Sequence, residues 1–214
     1  LGDVYKRQDI EVVLTGNTYQ AAFTESSPVS TFNSGNQILL NASGSLQIDN
    51  RILTYMDNQW KAENEFSWSD LTGKTNVTAV YPVYPDLDYV QENLYKNNSL
   101  EDILYVKDEF PAGNSIHLQF KHLFSLLTLH LEGNLQTYFQ KIEVTCPALS
   151  SIIPKSAEIV LADNGTHTTT IAQVSPSGNY SFIVPPVGNM VIAINMVTNG
   201  KKYTCLLYTS PSPR

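Results

Sequence analysis

The stretch LLTLHLEG, Leu126 to Gly133, places Leu129 and Leu131 at alternate positions, with Thr128 and His130 between them. A period of two belongs to a strand with one face in a core and the other in water, because successive side chains point to opposite sides of a sheet. An amphipathic helix needs apolar residues three and four apart, and that spacing is scarce throughout the chain.

Outward from this strand, short β-branched, aromatic or alternating runs recur between Asn, Gly, Ser and Asp, at the spacing of an all-β sandwich. The expected strands before Leu126–Glu132 are Glu11–Leu14, Gln37–Leu40, Ser45–Ile48, Ile52–Met56, Asn76–Tyr81 and Ser115–Phe120. Those after it are Lys141–Cys146, Ala157–Leu161, Thr168–Ile171, Tyr180–Val184 and Met190–Val197. Asp163-Asn164-Gly165, Ser177-Gly178-Asn179 and Thr198-Asn199-Gly200 supply residues that tolerate positive φ, so the second half reads as a succession of hairpins. Between Pro82 and Pro111, Tyr, Asp, Asn and Pro dominate; SLEDILYV (Ser99–Val106) is the one plausible helical turn, and the stretch reads as a long connection with a short helix or strand. The break Pro111-Ala112-Gly113-Asn114 then sets an expected domain boundary, with sandwiches over 9–112 and 113–204.

The two ends do not share this pattern. Written as CTC GGA GAT GTG TAT AAG AGA CAG, the codons of Leu1–Gln8 have an opposite strand that encodes Cys-Leu-Leu-Tyr-Thr-Ser-Pro in one frame, the sequence of Cys205–Pro211. One DNA segment read from both strands resembles the transposase end used to fragment DNA for sequencing. Residues 1–8 and 205–214 are therefore expected to be adaptor-derived, and Asp9–Thr204 natural. The stretch TCLLYTS nonetheless has strong β character, so residues 205–210 are expected to occupy the place of a natural final strand.

Without the flanks, Lys6, Arg7 and Arg214 leave the thirteen basic residues and Asp3 leaves the twenty acidic ones, so the net charge moves from -7 to about -9. Such a chain repels phosphate backbones and anionic membrane surfaces. Cys146 is then the sole natural cysteine, which rules out an intrachain disulfide within that segment. Apolar runs such as Leu123–Leu129 are far short of the roughly 18 residues of a membrane helix.

Catalytic templates fail residue by residue. Gly-rich phosphate loops and a Gly-x-Ser-x-Gly elbow are absent. His117 and His122 differ by an odd number and face opposite sides of a strand, a turn separates His122 from His130, and His167 is remote, so a converging metal set is disfavoured. His122 is expected to hydrogen-bond a local backbone turn, and Cys146 to be a small buried residue. The acidic pairs Glu101-Asp102, Asp108-Glu109 and Asp86 with Asp88 read as solvated loops without calcium-loop spacing. Asn-x-Ser/Thr triplets at Asn41, Asn76, Asn97, Asn164 and Asn179 carry no functional weight. Trp60, Trp68, Tyr81, Tyr84, Phe110, Phe120 and Phe124 are expected mostly in a core, while an exposed coplanar row of them would instead suit a glycan-binding module.

Three stretches in order carry a resemblance: RILTYMDNQWKAENEFSWSDLTGKTNVTAVYPVYP (51–85), EDILYVKDEFPAGNSIHLQFKHLFSLLTLHLEG (101–133) and YSFIVPPVGNMVIAINMVTNGKKYT (180–204). Their specific parts are Trp60 and Trp68 ahead of Ala79-Val80-Tyr81-Pro82, then Phe120-Lys121-His122-Leu123, then Phe182–Pro186 leading to Gly200-Lys201-Lys202-Tyr203. This resembles the fimbrillin-like family of surface lipoproteins and pilus subunits of Gram-negative anaerobes. The resemblance implies an all-β chain of two transthyretin-like antiparallel β-sandwich domains, the second incomplete. It also implies display on the outer membrane through a lipidated N-terminal cysteine that this sequence lacks, and fimbriae whose subunits join by β-strand addition. Host or bacterial surface ligands are further implied partners; nucleic acid, cofactors and metals are not. No catalytic, cofactor-binding or metal residue is assigned, and no enzyme activity is expected. Arg51, the sole natural arginine, is expected to be structural. The rival readings are a cell-surface glycan-binding module and, further off, a secreted hydrolase with two carboxylates in a cleft.

Overall fold

The computed structural model describes residues 2–5, 10–15, 18–22, 32–63, 72–92, 94–96, 99–113, 115–131, 139–174, 178–186, 191–198 and 200–208. Among them the chain forms seventeen strands and no helix, and every ladder is antiparallel. In chain order they are β1 (Gly2–Tyr5), β2 (Ile10–Thr15), β3 (Thr18–Ala22), β4 (Gln37–Gly44), β5 (Ile48–Met56), β6 (Gln59–Ala62), β7 (Thr75–Tyr81), β8 (Tyr95–Lys96) and β9 (Ser99–Leu100). Then follow β10 (Leu104–Phe110), β11 (Ser115–His122), β12 (Ser125–Leu131), β13 (Phe139–Ile153), β14 (Glu158–Val174), β15 (Gly178–Val184), β16 (Val191–Thr198) and β17 (Lys201–Tyr208).

Alternation sorts these strands around two cores. In the order β3-β2-β11-β10-β7-β4-β5-β6 they make one eight-stranded sheet, and β3 comes round to lie beside β6. Inside the roll, alternate residues of neighbouring strands meet: Ile38 and Leu40 of β4, Leu53 of β5, Trp60 of β6, Val77 of β7, and Leu118 and Phe120 of β11. The second unit is a sandwich of β1-β12-β15 against β14-β13-β16-β17. Leu127 and Leu129 of β12 with Phe182 and Val184 of β15 face Ile142, Val144, Ile192 and Ile194 across it. The strand read from LLTLHLEG is thus β12, with Leu127 and Leu129 buried; the side chains of Thr128, His130 and Leu131 lie outside the described residues.

A third apolar cluster lies where the units meet. Leu39 and Val80 point away from the first core, yet both are buried, because Leu87, Val90, Ile103, Leu149 and Ile152 pack over them. The β13–β14 hairpin reaches this cluster because its strands are long, at 15 and 17 residues.

Several expectations are corrected by long-range pairing. Of the two readings of Ser99–Val106, short helix or strand, the structure has strand: the stretch supplies β9 and the start of β10, which is bonded between β7 and β11 in the first sheet. Ser45–Ile48 is largely the turn between β4 and β5; Ser45 is held there by hydrogen bonds to the carbonyl of Gly73 and the hydroxyl of Thr75. Ala157–Leu161 and Thr168–Ile171 are one strand, β14, because both parts ladder with β13. The Asp163-Asn164-Gly165 signal therefore makes a bulge, with Asn164 at φ 54°, between the pairs Leu149↔Leu161 and Pro147↔Thr166. Ser177-Gly178-Asn179 is no hairpin either, since β14 and β15 belong to different sheets. Thr198-Asn199-Gly200 does join a hairpin, β16–β17, with Thr198 opposite Lys201 and Gly200 at φ 73°. The break expected at 112/113 does not separate sheets, because β11 pairs with β10 and β2 and sends Ile116, Leu118 and Phe120 into the first core. The chain crosses between units at Leu123–Phe124.

The flanks enter the sheets. Cys205–Tyr208 extend β17 along Val191–Ile194 at the sheet edge, and Gly2–Tyr5 pair with Leu126–Leu129.

Gly44 is required where β4 turns: its φ is 132°, and a Cβ would run into the Lys74 carbonyl. Gly44→Ala is expected to cost about 2 kcal/mol, read as a lower urea midpoint with unchanged m-value.

Candidate functional site

The aromatic side chains singled out in the sequence serve the cores. Trp60 is fully buried, and Phe32 stands edge-on to it at 4.9 Å, to Tyr81 at 5.3 Å and to Phe120 at 6.2 Å. Edge-on rings meet with the positive rim of one against the negative face of the other, which adds to their apolar burial. Phe124 and Tyr84 are buried in the junction cluster, while Tyr81 and Phe110 pack half-buried against the first core. Trp68 lies outside the described residues. The exposed stacking row that a glycan module needs is not formed by Trp60, Tyr81 and Tyr84.

The polar residues of the junction are held close to the chain crossing. His122 ends β11 with its side chain 5% exposed, and its Nδ1 lies 3.0 Å and 3.2 Å from the two carboxylate oxygens of Asp102. It is a carboxylate 20 residues away, not a local backbone turn, that takes this imidazole. Its Nε2 is buried with no hydrogen-bond partner among the described residues, as is the hydroxyl of Tyr84. Burial, and then the negative charge of Glu101, push the Tyr84 hydroxyl well above its ordinary range. Tyr81 is raised by the same two causes and by Asp102. These phenols stay protonated, and no nucleophile stands beside the imidazole in the described contacts.

The other histidines lie apart from it. His117 is exposed on β11, and His167 stacks on Tyr95 with ring centroids 3.8 Å apart. The side chain of His130 is outside the described residues. Among the described residues, no three of His, Cys, Asp and Glu gather as a metal set. Of the other acidic pairs noted in the sequence, Asp86 accepts from the amides of Asp88 and Tyr89, Asp88 lies 3.6 Å from Lys155, Asp108 accepts from the amide of Glu109, and Glu109 pairs with Lys74 at 2.6 Å. Arg51 lies within β5, opposite Leu40.

β12 bonds to β15 along seven residues, Ser125↔Val184 to Leu131↔Gly178, and on its other side, among the described residues, to the four residues of β1. Beneath that side Leu127 and Leu129 are already buried. A strand laid there satisfies main-chain donors and acceptors over a finished core. Sequence reasoning did not locate this edge, because an edge is defined by which strands pair and not by residue type.

Residues 28–212 match the Fimbrillin-like family. The chain belongs to the fimbrillin-like family. The match runs past Thr204 into the stretch read as adaptor-encoded, where Cys205–Tyr208 continue β17. None of the curated proteins matches the chain. For a fimbrillin-like chain the membership carries a structural role in fimbriae and a place at the cell surface.

Cys146 of this fimbrillin-like chain lies in the second core, and burial pushes its thiol up to about 11. At pH 8 it keeps its proton in the folded state and is a poor nucleophile. Ellman titration is expected to find only the exposed Cys205 reactive in the folded chain, and both thiols reactive in denaturant.

Proposed function

We propose that this chain is a fimbrial subunit that assembles by β-strand addition, with the β12 edge as an acceptor of a neighbour's strand. The observation that carries the reading is the occupant of that edge. Gly2–Tyr5, which the codon argument assigns to foreign DNA, ladders with Leu126–Leu129 in strict register. An edge that accepts an unrelated alternating segment selects for extended backbone more than for particular side chains. Each hydrogen bond gained contributes about 0.5–1.5 kcal/mol net, so a strand of several residues over a formed core gives a stable joint.

In this reading Asp9–Thr204 holds two β-sandwich units that meet at Leu123–Phe124, displaced from the boundary first expected. Anchoring to the outer membrane through a lipidated cysteine and adhesion to host or bacterial surfaces belong to the same proposal. The glycan-binding alternative is not advanced, because the side chains that would stack on sugars, Trp60 above all, are buried.

A chain beginning at Asp9 tests the acceptor edge. It is expected to bind a fluorescent peptide of sequence LGDVYKRQ saturably, whereas a peptide with Pro in place of Val4 loses a donor and does not bind. No binding of the first peptide, or equal binding of both, contradicts the proposal.

A further inference from the structure

We infer that the segment Tyr84–Ile103 is a strap that makes the two β-units fold and unfold as one body. This inference stands apart from the strand-addition reading and rests on the junction alone.

The first sheet has an apolar outer row: Leu39 of β4 stands opposite Val80 of β7, which stands opposite Tyr105 of β10. Left uncovered, this row would face water. The strap covers it with Leu87, Val90, Leu94, Leu100 and Ile103, all buried. The other side of the strap is held by the second unit. The amide of Val90 donates to the Ile152 carbonyl at 2.8 Å, and the Ile152 amide returns the bond at 2.9 Å. Nearby, Lys155 donates from its amide to the Leu87 carbonyl at 3.2 Å, and the Leu149 amide to the Tyr95 hydroxyl at 2.9 Å. Tyr95 also stacks on His167 of β14.

The strap itself is poor in local structure. Among its described residues the one ladder within the segment is the two-residue pairing of β8 with β9; beyond it the Glu101 amide reaches back to the Leu94 carbonyl at 3.3 Å, and Asp86 accepts from the amides of Asp88 and Tyr89. A segment with so few internal hydrogen bonds keeps its shape only while both neighbours hold it. Opening the second unit strips Leu149 and Ile152 from the strap, and the loosened strap bares Leu39 and Val80. Opening the first unit removes the floor on which the strap lies. Either event exposes the shared cluster, which couples the units.

Two reporters separate the units. With Trp68→Phe, Trp60 becomes the sole tryptophan of the two in the chain and reports the first core. With Cys205→Ser, Cys146 is the sole thiol and reports the second core through pulsed labelling. In urea the two signals are expected to share one midpoint in the otherwise unaltered chain. Val90→Pro, which removes the amide donor to Ile152, is expected to move the thiol midpoint away from the tryptophan midpoint. The milder Tyr95→Phe, which removes only the acceptor of the Leu149 amide, is expected to separate them in the same sense by less, and it decides the matter should Val90→Pro not fold. Separate midpoints in the unaltered chain, or coincident midpoints in Tyr95→Phe and in a folded Val90→Pro, would overturn the inference.

Discussion

The fold depends on burying both faces of β4 and β7 at one end. Ile38, Leu40 and Ala42 point into the rolled first sheet, while Leu39, between them, points out and is buried as well. Val77 and Ala79 do the same against Val80 on β7. A sheet with one solvated face tolerates polar residues at every second position, but a strand buried on both sides cannot be finished by its own unit. Something must cover Leu39 and Val80, and the connection after β7 does so together with the far end of the β13–β14 hairpin. The length of those two strands, and the path of the chain between β7 and β10, follow from this requirement.

Backbone satisfaction sets the other constraint. The first sheet limits its exposed edges by rolling until β3 lies beside β6. Among the described residues the second sandwich has β14 and β17 at the borders of one sheet and β15 and β1 at those of the other, with β1 lying on the side of β12 that would otherwise be an edge. Open edges are hazards in a monomer and joints in a polymer, and a fimbrillin-like chain of net charge -7 has repulsion to discourage indiscriminate stacking. At the junction His122 and Asp102 hold each other and the nearby tyrosines are kept protonated. Polar groups there secure a crossing between units.

Much of this was legible in the residues. The alternation in LLTLHLEG marked β12 as a strand with Leu129 on its buried face, the burial of Trp60, Phe120 and Phe124 agrees with the core reading of the aromatics, and Thr198-Asn199-Gly200 marked the β16–β17 hairpin. What was not legible depends on partners far along the chain. Asp163-Asn164-Gly165 has the composition of a turn, yet β13 continues opposite both of its sides, and Gly165 fits a bulge where a Cβ would come within 2.8 Å of the Ala162 side chain. Ser99–Val106 has helical spacing locally, but β7 and β11 leave a place between them that only an extended strand fills. The Asp102–His122 contact spans 20 residues and carries no local signal, and Pro111–Asn114 looks like a domain border although sheet pairing runs straight across it.

The most direct measurement is native-state hydrogen exchange at the junction. If β4 and β7 are completed only by their cover, the amides of Val90 and Ile152 open with the same free energy as those in the middle of β7, because they are released only by global unfolding. Exchange at Val90 and Ile152 orders of magnitude faster than in β7 would mean that the cover comes off while the sheet stands, and would contradict the account.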